Sequence, residues 1–118
     1  MPLQRLGVEQ PLAAVKADLF KALGHPVRVR TLELLVERDR QVAEMLGEID
    51  IEASHLSQHL AVLRRAGVVT ARREGNAVFY TLALPAVADM LNAARAVLLD
   101  ALTRNRETLS DLEQDLSR

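Results

Sequence analysis

The sequence predicts a mainly α-helical domain carrying one small β-hairpin, with its elements in the order α-α-α-α-β-β-α. Three observations predict it. Apolar residues make up 49% of the 118 residues but aromatic ones only 3%, so a core has to be assembled from Leu, Val and Ala between helices rather than around large rings. The apolar spacing is helical up to Gly67 and again after Pro85. Between those stretches the period becomes that of strands, on either side of the turn-forming Glu74-Gly75-Asn76. A chain of this length supports one core and not two. Residues 1–11 read as a flexible N-terminal arm, 12–103 as the folded domain, and 104–118 as a C-terminal extension of the last helix.

The first helix follows from Leu12, Val15, Leu19 and Leu23, which recur at helical spacing with Lys16, Asp18 and Lys21 between them. Gly24-His25-Pro26 ends it and starts the next: Gly suits a C-terminal cap, His25 a capping or turn role, and Pro26 the first turn of a helix, where its missing N–H is no loss. Val27, Thr31, Leu34 and Leu35 then predict a second helix over 26–37, with Arg28, Arg30 and Glu33 on its outer face. Val42, Met45, Leu46 and Ile49 mark a short third helix that ends near Asp50-Ile51. A fourth spans 53–66, holding Leu56, Leu60 and Leu63 on one side, and Gly67 caps it. Val68–Arg73 and Ala77–Leu82 form the hairpin. From Pro85 to Leu116 a heptad-like stripe runs through Val87, Leu91, Ala94, Leu98, Leu102, Leu109, Leu112 and Leu116.

Composition excludes several classes of function. The chain contains no cysteine, which removes disulfides, thiolate metal sites and thiol chemistry. It has no run of about twenty apolar residues, and Met1–Gln10 lacks the apolar core of a leader, so a soluble, cytoplasmic protein is expected. A formal net charge of -1 gives no overall attraction to polyanions, but the distribution is uneven. Between Ala53 and Ala83, Arg64, Arg65, Arg72 and Arg73 face one acid, Glu74, whereas Glu107, Asp111, Glu113 and Asp115 gather near the C-terminus.

Two short helices joined by a tight turn, the second polar on its outer face and followed at once by a hairpin, make a winged helix-turn-helix. A helix that enters the major groove needs short hydrogen-bonding side chains near its N-terminus, and Ser54, His55, Ser57 and Gln58 supply them. Gln can address adenine through two bonds. His59 is a candidate for phosphate contact or a local hydrogen bond. Arg64 and Arg65 at the helix end, and Arg72, Arg73 and Asn76 around the hairpin (the wing, 72–78), are candidates for phosphates or the minor groove. Because Arg72 and Arg73 alternate along a strand, one is expected to face DNA while the other covers the sheet or pairs with an acid.

Three segments in order resemble the ArsR/SmtB family of winged-helix repressors: Leu23-Gly24-His25-Pro26-Val27-Arg28-Val29-Arg30-Thr31-Leu32, Leu56 to Val69, and Arg72 to Tyr80. The resemblance covers about residues 12–103. It implies a homodimer paired through the first and last helices, by way of Leu12, Val15, Leu19, Val87, Leu91, Ala94, Leu98 and Leu102, and binding to double-stranded operator DNA with dyad symmetry. The terminal stripe favours pairing independently, since a long amphipathic helix needs cover for its apolar face.

The chain departs from family members that sense metals. Gln41-Val42-Ala43-Glu44-Met45-Leu46 carries no thiol and the helix from Pro85 onward no histidine, so neither metal site of the family transfers and no cofactor is expected. His55 and His59 are spaced i, i+4, but both lie on the helix expected to enter DNA. Met45 and Met90 read as packing. An enzyme is not expected either: residues two apart on a helix point apart, so Ser57 and His59 make no dyad. The remaining alternative is a winged helix used for protein docking through its long last helix; the acid-poor helix and wing favour DNA. The inducer is left open among a small organic ligand near the dimer helices, another partner, or none.

Overall fold

The computed structural model describes residues 11–117; the arm expected over 1–11 lies outside them except for Pro11. The order is α1 (Leu12–Leu23), α2 (Pro26–Glu37), β1 (Arg40–Gln41), α3 (Val42–Glu48), α4 (Ala53–Arg65), β2 (Val69–Glu74), β3 (Ala77–Leu82) and α5 (Ala86–Leu116). The strands form one antiparallel sheet in the order β1-β3-β2.

The punctuation between α1 and α2 acts as its chemistry requires, with one difference. His25 caps α2: its Nδ1 accepts the N–H of Val27 at 3.1 Å, and Pro26 takes the first turn. Gly24 closes α1 with φ of -82°, outside the left-handed region expected of a capping glycine. Close approach explains the glycine instead, because a Cβ there would lie 3.1 Å from the Phe20 carbonyl oxygen. At the end of α4 the expected cap is present: Gly67 has φ 79°, its N–H reaches the Arg64 carbonyl at 2.9 Å, and the Val68 N–H reaches the Leu63 carbonyl at 3.1 Å. This is a Schellman closure, completed by the buried pair Leu63 and Val68.

The core of the first compact unit, which ends at Ala88, is aliphatic. Val15 and Leu23 from α1, Leu32, Leu34 and Leu35 from α2, Met45 from α3, and Leu56, Leu60 and Leu63 from α4 are all buried. Leu32 falls outside the stripe expected for α2. This helix packs against both α4 and β3, so more than one side of it is covered. Thr31, also buried, returns its hydroxyl to the Val27 carbonyl at 2.7 Å. Val15 and Val87, expected on a pairing face, are each 2% exposed. They belong to the protomer's own core and are withdrawn from that face.

The hairpin gains a third strand that the sequence did not suggest. Arg40 pairs with Tyr80 and Gln41 with Phe79, and a run of two residues has no period to read. The turn is as tight as its residues allow: Glu74 pairs with Ala77, leaving Gly75 and Asn76 between them. Gly75 has φ 61° and Asn76 is not in the positive region, the pattern of a type II′ turn, in which glycine takes the first central position. Beyond Ala88, α5 stands as a separate unit, and from Asn92 to Ser117 every residue is exposed. At about 1.5 Å per residue the 31-residue helix is about 46 Å long.

Candidate nucleic-acid interface

Burial of Leu56, Leu60 and Leu63 fixes the roll of α4, and the helical repeat then decides what points outward. Ser54, Ser57 and Gln58, with Ala61 and Arg65 further along, share the face opposite those leucines. Ser54, His55, Ser57 and Gln58 are all exposed. Arg64 and Arg65 are exposed in the last turn, where they also complement the negative end of the helix dipole. α4 packs against β2, so the same framework holds helix and wing.

The two wing arginines part as strand alternation demands. Arg72 is engaged within the chain: it is ion-paired with Asp39, its Nε donates to Glu74 at 3.0 Å, and its Nη1 donates to the Thr81 hydroxyl at 3.1 Å. Its guanidinium also lies 4.9 Å from the centre of the Phe79 ring. Hydrogen bonding to Asp39, by Arg72 first and by the Thr81 hydroxyl second, holds its carboxyl below the ordinary value. Glu74 and then Asp39 raise Arg72 above its own. Arg73 is exposed and, among the described residues, has no ion pair. Asn76 is exposed at the turn.

His59 is placed differently from its neighbours. It is half-buried on the flank of α4 that faces α2, where Arg28 Nη1 lies 3.0 Å from its Nδ1 and the His25 ring lies 4.2 Å away, centre to centre. Burial first, and then the positive or protonatable neighbours His25, Arg28 and His55, lower the His59 pKa from 6.5. Arg28 in turn donates Nε to the Ala22 carbonyl at 2.6 Å and Nη2 to the Lys21 carbonyl at 3.3 Å. The spacing of α2 puts Arg28 on the outer face of its helix. Thirty-one positions separate it from His59, and no local pattern spans that interval.

The chain is similar in sequence and fold to known bacterial regulators. Residues 25–71, from the α2 cap to β2, match the family model described as "Bacterial regulatory protein, arsR family". The uncharacterized HTH-type transcriptional regulator Rv0081 of Mycobacterium tuberculosis is 54% identical over 104 residues, 87% of this chain and 91% of that protein. Its crystal structure superposes with a TM-score of 0.75, covering 82% of this chain and 98% of the other. The Biofilm growth-associated repressor of Agrobacterium fabrum is 38% identical over 95 residues, 75% of this chain and 81% of that one. The homodimeric winged helix-turn-helix DNA-binding domain of Mb0332 from Mycobacterium bovis, solved by NMR, has a TM-score of 0.70 at 28% identity, covering 84% of this chain and 94% of the other.

Proposed function

Because this chain belongs to the arsR family of bacterial regulatory proteins, and is thereby a DNA-binding transcriptional regulator rather than an enzyme, we propose that it works as a cytoplasmic homodimeric repressor reading an inverted-repeat operator. The observation that carries this reading is the outward face of α4, where exposed hydrogen-bonding side chains stand beside a wing whose tip presents Arg73. Ser54, His55, Ser57 and Gln58 address base edges from the N-terminal half of α4. Arg64, Arg65, Arg73 and Asn76 engage phosphates or the minor groove, which sets register and gives the salt dependence. Arg72 is the brace that fixes the wing, and His59 acts through its partners on α2.

The pairing surface of this reading comprises Leu12 and Leu19 of α1 with Leu91, Ala94, Leu98 and Leu102 of α5. Leu12 is 56%, Leu98 65% and Leu102 53% exposed, and a two-fold contact between identical patches would close such a face. Residues 12–103 then make up the working domain, with the arm before it and 104–118 as the extension of α5.

The test is selection of random duplex DNA by the purified protein, followed by titration of the selected site against scrambled DNA at two salt concentrations. An inverted repeat with a clear specificity ratio is expected. Salt-sensitive binding without preference, or no binding, sinks the operator reading and points to protein docking. Placing the recovered site upstream of a reporter then gives the sign: expression falls when the regulator is supplied.

A further inference from the structure

Behind the proposed reading face, a polar node ties α4 to α2, and its hydrogen atoms can be assigned. A guanidinium has only donors, so the 3.0 Å approach of Arg28 Nη1 makes His59 Nδ1 an acceptor and puts the ring's proton on Nε2. The other arms of Arg28 end on the carbonyls of Lys21 and Ala22, the last turn of α1. One side chain of α2 thus bridges α1 and α4, on the flank adjoining the face that carries His55 and Gln58.

We propose that Arg28 is a positioning residue for DNA recognition: through a neutral His59 it anchors α4 against α1 and α2 in the roll that its buried leucines select, so that discrimination between operator and other DNA depends on that imidazole staying unprotonated. The proposal rests on the DNA reading above and deepens it. The groups that face His59 are Arg28 from α2, His25 from the turn before α2, and His55 one turn back on α4. Among the described residues no carboxylate is paired with it. A proton on Nδ1 removes the acceptor and sets an imidazolium against the guanidinium, so the tie is replaced by repulsion. The His59 pKa is lowered from 6.5, so the tie is intact above that value and is lost as the pH falls through the lowered one. Protonation also strengthens attraction to any phosphate, so the ratio of operator to scrambled binding is the informative quantity, not affinity alone.

Two measurements test this. The first is NMR of the imidazole nitrogens in the free protein at about pH 8, where the Nε2–H form of His59 is expected; an Nδ1–H form overturns the assignment whatever the protein does with DNA. The second is competition between the selected operator and scrambled duplex from about pH 8 down to about pH 5.5. In the parent the ratio is expected to decline as the pH falls through the lowered His59 value, toward a loss of at most roughly tenfold, that of one hydrogen bond to a charged group. His59→Asn, whose amide oxygen substitutes for Nδ1 and does not titrate, keeps most of the ratio and flattens its pH profile. Arg28→Met lowers the ratio at the upper pH with the salt slope unchanged, and Arg28→Lys restores part of it. A His59→Asn profile that declines like the parent's overturns the proposal, as does an Arg28→Met variant that loses both duplexes equally, the behaviour of a phosphate contact. A parent with no preference at any pH defeats the operator reading itself, and the tautomer result then describes a structural tie alone.

Discussion

α4 and α5 are both amphipathic, yet they stand in opposite relations to the fold. α4 buries Leu56, Leu60 and Leu63 under the chain's own residues and leaves serines, an amide and arginines outside. α5 buries Val87 at its start and then exposes Val97, Leu98, Leu99, Leu102, Leu109, Leu112 and Leu116, each more than half accessible. One helix has its apolar side covered by the protomer, and its polar side is free to read something. The other has its apolar side uncovered, which in water calls for a partner surface. The same periodicity in sequence therefore describes a helix with its apolar side buried in one case and a helix with its apolar side open in the other, and only burial separates them.

Substitutions on the two apolar faces should separate in kind. Leu98→Glu on α5 would place like charges opposite each other across the proposed two-fold interface, at several kcal/mol. The expected result is a monomer by light scattering, with operator affinity reduced by about 100-fold or more and the amide exchange protection of the core helices α2 and α4 retained. A dimer of parental mass would break the comparison. Leu60→Ala on α4 is expected to remove about 2–5 kcal/mol of stability, the range for a fully buried leucine that leaves a cavity. Chemical denaturation reads it, and the mass of the folded species should not change.

The polar faces sharpen the contrast further. Gln58→Ala is expected to relax base preference at one position in each half-site, at about 1–3 kcal/mol on the selected operator. Arg73→Ala should weaken all sequences alike and reduce the salt slope by about one phosphate. Arg72→Ala, at the neighbouring position, removes a brace rather than a contact. Its DNA effect should be smaller than that of Arg73→Ala and should appear mainly at the wing. Equal salt slopes for the two variants would mean that Arg72 leaves Asp39 to meet the phosphates.

How much of this was legible depended on the length of the signal. α1 and α2 were readable to the residue because Pro11, Gly24, Pro26 and the charged residues after Glu37 punctuate them, and α4 to within one residue, Ala66 being its cap, because Gly67 must take a positive φ. The hairpin declared itself through Glu74-Gly75-Asn76. β1 did not, since two residues carry no alternation and its pairing with β3 joins positions 40 apart. Leu32 was missed because a single-face pattern cannot describe a helix covered by both α4 and β3. The polar residues of α4 could be named from sequence, as could the rule that Arg72 and Arg73 diverge. Which arginine was held by Asp39, and that Arg28 reaches His59, required the packing of elements distant in the chain.

The smallest effect expected is the acid response of the wing brace, and its sign follows from the pair. The Asp39 carboxyl is held below its ordinary value of 3.8, chiefly by the hydrogen bond from Arg72. A carboxylate so depressed contributes stability above its unfolded pKa and loses it as the pH falls through the lowered value. Acidification toward and below 3.8 should therefore loosen the contact between the start of β1 and the β2–β3 ribbon. Because both side chains are accessible to solvent, the contribution is small and screened by salt. Hydrogen exchange of the β3 amides that pair with β1 and β2, compared between the parent and Asp39→Asn, reads it locally. Corrected for the intrinsic pH dependence of exchange, the variant should show at neutral pH the lower protection that the parent reaches only in acid, while the amides of α4 respond alike in both proteins. Coincident exchange of β3 in parent and variant across the whole range would show that Phe79 and the strand pairing alone hold the wing, with Arg72 free to turn toward DNA.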